Sequence, residues 1–510
     1  MRRAALAGVA AAGAALGASE LSARAVDGAS LVLSVGEEII ERVPAPVEDA
    51  AISMFGTYDK IALVIGIVLV SVALGAGLGV VARRRFWVAA AGFGLFGTMG
   101  VLAGASRPGA APAFTVLVGV ASVAAGLVVL DRLLAPPSAG IPAIASAPTL
   151  EPRAPSPLSR RHFLSVLAGT AGAGVVARAG AGLISDGDQS TGPGHVRLPA
   201  ARRALPAPPA GSSFPIEGLS PLVTANADFF RIDTALSTPR VDADSWRLRV
   251  VGMVERPLQL SYRQLLDMPL VEADIAISCV SNRVGGNLVG NARWLGVPLR
   301  HLLDAAGVRA GATQVVGRSV DGWTAGFPTS VALDGREAMV AVGMNGEPLP
   351  RSHGFPARLV VPGLYGYVSA TKWLSEIVLT TLEAFDAYWV PRGWAKQAPV
   401  KTASRIDVPR DGQTLSSGRR TIAGVAWAPP EGISKVEVAV DDGPWVEATL
   451  AAELDADSWR LWKHDWDARR GSHTIAVRAT DGSGAIQSER RSPPRPDGAT
   501  GHHTIVVKVR

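Results

Sequence analysis

The stretch IAISCVSNRVGGNLVGNARWLGVPL, residues 275–299, contains Cys279, the only cysteine in the chain. The apolar run before this cysteine predicts a strand, and Asn282 and Arg283 follow directly after it. An arginine one turn away favours the thiolate, which is the form of cysteine that binds metals. From these residues alone three interpretations stay open: a metal ligand, a buried cysteine that packs as a small apolar side chain, and a nucleophile with His353 as its base.

The composition narrows the class of protein. The chain has 510 residues, of which 48% are hydrophobic and 18% are charged, and its formal net charge is +6. At roughly 150 residues per domain, this length predicts about three domains. One cysteine excludes an intramolecular disulfide, a Cys-x-x-Cys pair, an iron–sulfur cluster and a cysteine-rich zinc site. The arginines are scattered or lie beside apolar runs, so the charge does not indicate a nucleic-acid partner.

Residues 1–184 are predicted to form a membrane region of about five helices, because runs of roughly 20 apolar residues cross the ~30 Å hydrocarbon core. The predicted spans are 4–23, 61–82, 86–106, 113–134 and 162–184. Cytoplasmic loops are rich in Lys and Arg. The basic clusters at 2–3, 83–85 and 153–161 fit this rule when the N-terminus lies inside. Everything after the fifth span is then predicted to be extracytoplasmic.

Residues 159–164 are Ser-Arg-Arg-His-Phe-Leu, and a run rich in Gly and Ala follows them. This pattern resembles a twin-arginine export signal placed inside the chain. Two arginines on the cytoplasmic side of a membrane span explain the same residues. The twin-arginine route exports domains that have already folded, so this interpretation predicts a cofactor-containing enzyme downstream.

Two stretches rich in Pro, Ala, Gly and Ser, at 135–160 and 185–215, are predicted to be linkers with little packed structure. Between the second linker and residue 395, alternating runs such as SWRLRVVGMV (245–254) mix with helical spacing at 298–308. Residues 216–395 are therefore predicted to form an α+β domain.

Residues 396–510 have a different pattern. Strand-like runs recur between Gly, Pro and Asp turns, which predicts a C-terminal β-sandwich of immunoglobulin type. His502 and His503 lie at the head of the last strand; a histidine pair could bind a metal, but residues at this position are more often polar loop residues.

Several of these motifs resemble one family. Cys279, Asn282 and Arg283 match the Cys-x-x-Asn-Arg of the sulfite oxidase family, and GNARWLGVPLRHLL (290–303) is similar to the run that follows it there. The stretch MNGEPLPRSHGFPARLVVPGLYGYVSATKWL (344–374) closely resembles a long family signature. The C-terminal region resembles the family's immunoglobulin-like dimerisation domain. The resemblance covers about 216–510 and implies a multi-domain chain. Transmembrane α-helices would precede an α+β sulfite-oxidase-type molybdopterin domain and an immunoglobulin-like β-sandwich.

The resemblance also implies roles for individual residues. Cys279 would ligate molybdenum, and Arg231 would lie near the metal and an anionic substrate. The residues expected to bind the cofactor are Phe230, Arg231, Ile232, Asp233, Asn282, Arg283, Asp321, His353, Arg358, Ala370, Thr371 and Lys372.

The activity implied by the resemblance is oxygen-atom transfer on a small sulfur compound, performed with a molybdenum–molybdopterin cofactor by a membrane-anchored, extracytoplasmic enzyme. No cytochrome-type haem domain is recognised in the sequence, so an electron-transfer partner such as a cytochrome is expected. Membrane lipid and a second copy of the chain are the other expected partners.

Two departures from the family leave alternatives open. Val284 stands where sulfite oxidases have a second arginine that helps bind sulfite. The short path from Gly285 to Trp294 omits an insert that carries a substrate-pocket tryptophan. A sulfoxide reductase of the same family, and a binding module that keeps the fold without turnover, are the alternatives.

Overall fold

The computed structural model describes residues 1–25, 30–43, 47, 51, 54–55, 59–106, 112–135 and 192–510. These residues form two compact units, one containing the N-terminal helices and the other containing 192–233 and 238–510. The predicted fifth span at 162–184, the Ser-Arg-Arg-His-Phe-Leu motif at 159–164 and nearly all of the first predicted linker lie outside the described residues.

The first unit is helical. Its helices are α1 (Arg2–Ala25), α2 (Leu31–Arg42), α3 (Asp59–Ala82), α4 (Phe86–Ala105) and α5 (Pro112–Leu134). All but α2 are long and apolar enough to cross a membrane, which agrees with the first four predicted spans. Many of their large apolar side chains face outward, where lipid would cover them, including Leu69, Leu95 and Val120.

Glycines bring α1 and α3 into close contact. A Cβ atom built on Gly79 would overlap the Gly8 backbone and the Ala4 carbonyl oxygen of α1. A Cβ atom on Gly77, two residues earlier, would meet nothing within 4 Å among the described residues. Small residues on one face of a helix let two backbones approach, which replaces the hydrophobic drive that is absent in lipid.

The second unit begins with an α+β domain built on two sheets. One sheet has the order β2-β1-β10-β5-β6 and the other has the order β3-β4-β7-β8, with β9 paired to β7. The strands are β1 (Arg247–Gly252), β2 (Leu258–Ser261), β3 (Val271–Ser278), β4 (Val289–Pro298), β5 (Gln314–Ser319), β6 (Thr324–Pro328), β7 (Met339–Met344), β8 (Glu347–Pro348), β9 (Arg358–Val360) and β10 (Leu374–Thr380). The short helices are α6 (Tyr262–Leu266), α7 (Leu299–Ala306), α8 (Thr329–Leu333) and α9 (Gly366–Ser369).

The predicted helical spacing at 298–308 corresponds to α7. Leu299, Leu302, Leu303 and Ala306 are fully buried on one face of it, and the helix ends at Gly307 in the left-handed conformation. Both sheets contribute to one apolar core, in which Trp294 is completely buried. This core holds the ends of β3, β4 and β9 in place, and those ends carry the candidate site.

The C-terminal part of the second unit consists of two sheets that share a core. Their orders are β11-β13-β17-β16 and β12-β19-β18-β14-β15. The strands are β11 (Ala403–Val408), β12 (Thr414–Leu415), β13 (Gly418–Trp427), β14 (Ile433–Val440), β15 (Val446–Glu447), β16 (Thr449–Leu450), β17 (Arg460–Ala468), β18 (Gly471–Asp481) and β19 (His503–Val509). Ile422 and Trp462 from one sheet pack with Val436, Ile475 and Val507 from the other. The arrangement is a β-sandwich, and its immunoglobulin type stays a prediction.

The second predicted linker, 185–215, differs from the structure over its described part. The Arg202 amide donates to the Leu270 carbonyl (2.8 Å), and the Glu272 amide donates to the Arg203 carbonyl (3.0 Å). The segment lies alongside β3 in space. As an edge strand, β3 has backbone amides and carbonyls that its own sheet does not pair, and the segment bonds to this edge. Three of its apolar side chains also pack against the core of the α+β domain: Val196, Leu198 and Ala201. Composition alone missed this packing because the apolar residues are spaced among prolines and arginines.

The close approach of α1 and α3 predicts an asymmetry between two glycines. Gly79→Leu should impair packing of these helices, because its side chain collides with α1 backbone atoms. Overpacking of this kind costs about 1–3 kcal/mol. The thermal midpoint of helix unfolding in detergent should fall for Gly79→Leu and stay unchanged for the control Gly77→Leu. Equal midpoints for the two variants would contradict the described helix contact.

Candidate functional site

Cys279 lies in a tight turn at the end of β3. Its amide donates to the Leu288 carbonyl (2.9 Å), and the Asn282 amide donates to the Cys279 carbonyl (3.0 Å). The Asn282 side-chain oxygen closes the turn by accepting from the Leu288 amide (3.0 Å). Because of this network, residues 279–288, here called the cysteine turn, form a compact loop with the buried Cys279 side chain at its start.

The thiol does not ionise readily where it lies. Burial raises the pKa of Cys279, and hydrogen bonds from the Ser281 backbone and side chain only partly oppose this rise. Arg283 is exposed at the surface and is not among the causes of the shift. The expectation that this arginine favours the thiolate was therefore wrong, because burial disfavours the charged form and the exposed Arg283 does not offset it. A bound cation would be needed to hold the thiolate form here.

The stretch 351–372 provides a second set of functional side chains, built around Arg358 in β9. The Arg358 guanidinium is buried and donates to the carbonyls of His353 (3.1 Å) and Ala370 (3.5 Å). It also lies over the Trp294 ring, 5.1 Å from the centroid. No carboxylate pairs with it among the residues that the structure describes. Burying an unpaired guanidinium is costly, so this position favours an anionic ligand.

Lys372 and His353 lie in the same region. The Lys372 ammonium donates to Asp233 Oδ2 (2.7 Å) and to the Ser352 carbonyl (3.3 Å). The His353 Nε2 is 2.9 Å from the Asn226 carbonyl oxygen, to which it must donate. Gly354, at φ +109°, permits the close approach, because a Cβ there would lie 3.0 Å from Lys372 Cα.

Burial lowers the pKa of each basic group in this region, and neighbouring positive charges add to the effect on Lys372 and His353. Burial lowers the pKa of Arg358 to about 9. Burial, and then the charges of Arg358 and Arg231, lower the pKa of Lys372 to about 8 although Asp233 opposes them. Burial and the neighbouring cations also lower the pKa of His353 to about 4. One carboxylate, Asp233, pairs with Lys372 and Arg231, and Arg358 has none among the described residues. The surplus positive charge suits a phosphate or another polyanionic group.

The segment 230–233 borders Arg358 and Lys372, here called the cation cluster, through the bond from Lys372 to Asp233. The Arg231 side chain is exposed and donates to Asp233 Oδ2 (3.1 Å) and Thr238 Oγ1 (2.7 Å). Ile232 is half exposed. Phe230 stacks on Phe229, with ring centroids 5.3 Å apart. Asp233, buried between two cations, is therefore the residue that links this segment to Lys372.

Two further predicted residues, Asp321 and Thr371, make hydrogen bonds with backbone groups. Asp321 accepts from the Trp323 amide (3.1 Å) in the β5–β6 turn, and the neighbouring Val320 amide donates to the Trp373 carbonyl (2.9 Å). Thr371 is fully buried, and its carbonyl accepts from the Leu359 amide (2.9 Å). These contacts support the backbone on either side of Lys372.

The cysteine turn and the cation cluster are close in space. A Cβ built on Gly366, at the start of α9, would lie 3.8 Å from the Ser278 carbonyl oxygen, and α9 leads directly into Ala370. On the other side, Phe229 contacts Gly290 of β4 and meets the His353 ring edge-on at 5.8 Å. The structure therefore brings residues from three distant parts of the sequence, near 229, 279–290 and 353–370, to one end of the domain.

Three residues at this site were not predicted. They are Asn226, which accepts from His353; Trp294, which lies under Arg358; and Tyr365, whose electrostatic interaction with Cys279 contributes to a pKa raised mainly by burial to about 12. Trp294 lies in a recognised motif, but a buried tryptophan in a strand is usually a core residue. Tyr365 lies in the 344–374 signature, where no role was assigned to it, and no local pattern marked Asn226.

The donor set fits a cofactor that brings its own ligands. No group of three or more His, Cys, Asp or Glu side chains among the described residues could hold a metal ion alone. Cys279 offers one soft donor, and the adjacent cations offer partners for an anion. A metal carried by an anionic organic group that provides further sulfur ligands matches both features.

Comparisons with known proteins agree with this geometry. A family profile described as "Oxidoreductase molybdopterin binding domain" matches residues 235–389. Human mitochondrial sulfite oxidase is 31% identical over 320 residues, covering 53% of this chain and 58% of that protein. The uncharacterized oxidoreductase YuiH of Bacillus subtilis is 35% identical over 153 residues, covering 30% of this chain and 74% of that protein. The crystal structure of the sulfane dehydrogenase SoxCD from Paracoccus pantotrophus matches with a TM-score of 0.51 at 24% identity, covering 59% of this chain and 86% of that one.

Fold and site together define a molybdopterin-dependent oxidoreductase. The chain belongs to the sulfite oxidase family. Membership confirms the predicted family and enzyme class, and it implies the molybdenum cofactor. The chain spans little more than half the length of the human relative.

The lowered pKa of His353 predicts a pH dependence of stability. As pH falls from about 6.5 to about 4, the unfolded chain binds a proton that the folded chain excludes, so stability is lost in that window. The loss is at most about 3 kcal/mol. His353→Gln, which keeps a donor for the Asn226 carbonyl, should weaken this dependence. Thermal midpoints of the full chain in detergent at about pH 7 and about pH 5 measure it. An unchanged pH dependence in the variant would contradict the assignment.

The unpaired guanidinium of Arg358 predicts opposite effects on stability and cofactor binding. Arg358→Met has similar volume and removes a buried charge, so the cofactor-free chain should become more stable by about 1–3 kcal/mol. The same variant should contain less molybdenum per chain, because an anion partner is lost. Arg263→Met, at an exposed position, is the control and should change neither quantity. A destabilised cofactor-free variant would mean that Arg358 has a structural role independent of a ligand.

Proposed function

We propose that this chain is a membrane-anchored, extracytoplasmic molybdenum-cofactor oxidoreductase that transfers an oxygen atom to or from a small sulfur compound. The observation that carries the proposal is the surplus of buried positive charge next to the only cysteine. Each feature is unfavourable alone, since Arg358 is buried without a carboxylate and burial disfavours the Cys279 thiolate. A cofactor with a metal at one end and a phosphate at the other would relieve both.

The proposed roles of the residues follow from their positions. Cys279 ligates the metal, and its raised pKa means that metal binding releases the thiol proton. Arg358, Lys372 and His353 bind the anionic part of the cofactor. The other contacts proposed for the cofactor come from Phe230, Arg231, Ile232, Asp233, Asn282, Arg283, Asp321, Ala370 and Thr371.

Once bound, the molybdenum cofactor supplies two-electron oxygen-atom chemistry. Oxidation adds one oxygen atom from water to the sulfur compound and releases two protons and two electrons, and reduction is the reverse. The exposed Arg231 guanidinium, held by Asp233, provides positive charge to orient an anionic substrate. Electrons leave or arrive through a partner, for which a cytochrome is the proposed class.

The proposed location rests on the basic clusters that flank the apolar helices. Arg2 and Arg3 precede α1, and Arg83, Arg84 and Arg85 follow α3, which fits an N-terminus on the cytoplasmic side. A fifth span at 162–184 would then place the oxidoreductase domain outside. A homodimer through the β-sandwich is proposed from the family resemblance.

Sulfoxide reduction is a second candidate, and one observation favours it. Val284, half buried in the cysteine turn, replaces the second arginine that sulfite oxidases use for an anionic substrate. A neutral substrate such as a sulfoxide needs less positive charge. The related sulfane dehydrogenase SoxCD is named for a third class of sulfur compound, so sulfane sulfur belongs in the same assay.

The metal role of Cys279 is tested by Cys279→Ser. The cations that bind the anionic end remain, so the variant should keep the pterin but lose one sulfur neighbour of molybdenum. Turnover should fall by at least about a hundredfold, the upper end of what loss of an outer-shell partner costs. Elemental analysis measures molybdenum per chain, and X-ray absorption at the molybdenum edge counts its sulfur neighbours. The activity assays described next measure turnover. Absence of molybdenum from the exported wild-type chain would refute the proposal.

Direction and substrate are separated by two assays on the wild-type chain. Sulfite or sulfane sulfur should reduce an added cytochrome if the enzyme oxidises. Methionine sulfoxide should oxidise an added viologen radical if the enzyme reduces. Molybdenum without turnover in either assay would contradict a small sulfur compound as the substrate.

A further inference from the structure

The β-sandwich contacts the cysteine turn through a buried arginine. Arg405 of β11 donates from Nη1 to the Gly286 carbonyl (2.9 Å) and from Nη2 to Ser220 Oγ (2.8 Å). Its Nε donates to Asp407 Oδ1 (2.6 Å), so the guanidinium is neutralised and held on three sides. Only about a tenth of each side chain of this pair is exposed. A paired and buried arginine has one geometry, which makes it a rigid support for the Gly286 carbonyl.

A histidine from the last strand supports the same turn. The His503 ring lies against Gly285 so closely that a Cβ on Gly285 would overlap it. His503 Nδ1 accepts from the Ile406 amide (2.9 Å), next to Arg405 in β11. Burial and the charge of Arg405 lower the pKa of His503, in agreement with a neutral ring that accepts at Nδ1. Gly285 itself has φ +77°, a conformation that side-chain-bearing residues rarely adopt.

The strands on both sides of the turn are also attached to the sandwich. Val289, the first residue of β4, packs in an apolar cluster with Trp427 and Trp459 of the sandwich. On β3, the Ala276 amide donates to the Asp457 carbonyl (2.9 Å). The cysteine turn is therefore fixed at its tip, its exit and the strand that enters it. All of these contacts lie within the second unit.

We propose that Arg405 and His503 are positioning residues for Cys279, so that the sandwich, as well as the oxidoreductase domain, sets where the thiolate meets the cofactor. Neither residue touches the cysteine, and both act through the backbone of Gly285 and Gly286. The inference rests on the proposed metal role of Cys279. It extends that role, because ligand geometry held by surrounding groups tunes a bound metal.

The single cysteine makes a direct test practical. In the full chain from a host that cannot make the cofactor, the rate of maleimide labelling reports only on Cys279. Arg405→Met and His503→Ala should each raise this rate by about tenfold, because a turn that loses a hydrogen bond or a packing contact opens more often. Arg419→Met and His502→Gln are the matched controls: Arg419 is exposed on β13 and pairs with Asp465, and His502 precedes His503. Wild-type rates in Arg405→Met and His503→Ala would overturn the proposal.

A third variant covers the case in which Arg405→Met unfolds the sandwich. Gly285→Ala changes no residue of the sandwich and pushes the turn away from His503. Gly285→Ala should raise the labelling rate of the wild-type chain. It should raise the rate by a smaller factor in the His503→Ala variant, because the imidazole ring that the new methyl group would overlap is absent. Strict additivity of the two effects would overturn the role of His503.

The cofactor-loaded enzyme provides the second readout. Arg405→Met should change the Mo(V) electron paramagnetic resonance signal and lower kcat by about 10–100-fold, and Arg405→Lys should recover part of both. A wild-type signal in Arg405→Met would overturn the proposal. If the wild-type chain contains no molybdenum, the proposed function fails, whereas the labelling experiment still decides whether the sandwich positions Cys279.

Discussion

The buried, unpaired guanidinium of Arg358 is the constraint on which the rest of the site depends. A charge in that position is costly, and the surroundings compensate with carbonyl oxygens and the face of Trp294 rather than with a carboxylate. Lys372 adds a second cation whose one carboxylate, Asp233, is shared with Arg231. The cofactor-free site is thus held in a state that favours an anion. Stability given up at a functional site in this way is common, because activity requires groups that folding alone would not place together.

Cys279 is the counterpart of Arg358: the buried arginine favours an anion, and the buried thiol needs a cation before it can ionise. Its thiol is buried in a turn whose hydrogen bonds are satisfied by the backbone, so the turn forms without a metal. Burial then keeps the thiol protonated until a cation displaces the proton. In the proposed function, Cys279 would bind the metal of the cofactor and the cations around Arg358 would bind its anionic part. The contacts from Arg405 and His503 connect the β-sandwich to the turn that carries Cys279.

How far the sequence could be interpreted differed from one region to another. The four apolar helices and the buried face of α7 were predicted within a few residues, because both depend on short-range periodicity. The family motifs led to Cys279, His353, Arg358 and Lys372, which the structure brings to one end of the domain. The prediction that Cys279 is a thiolate in the free protein was wrong. Burial raises the pKa of this thiol, and no spacing in the sequence reveals burial. The packed segment after residue 192 was missed because its partner, the edge of β3, lies about 70 positions further along the chain.

The sequence by itself determined the class of this protein. A membrane region, a lone cysteine in Cys-x-x-Asn-Arg and the 344–374 signature depend on residues that are close together in the chain, and such patterns are visible without a fold. Only the tertiary structure decided which groups meet. Burial, the imbalance of charge around Arg358 and the approach of Arg405 and His503 to the cysteine turn all arise between residues that are far apart in sequence. The physical reason is that desolvation and packing depend on neighbours in space, whereas a sequence motif records only neighbours along the chain.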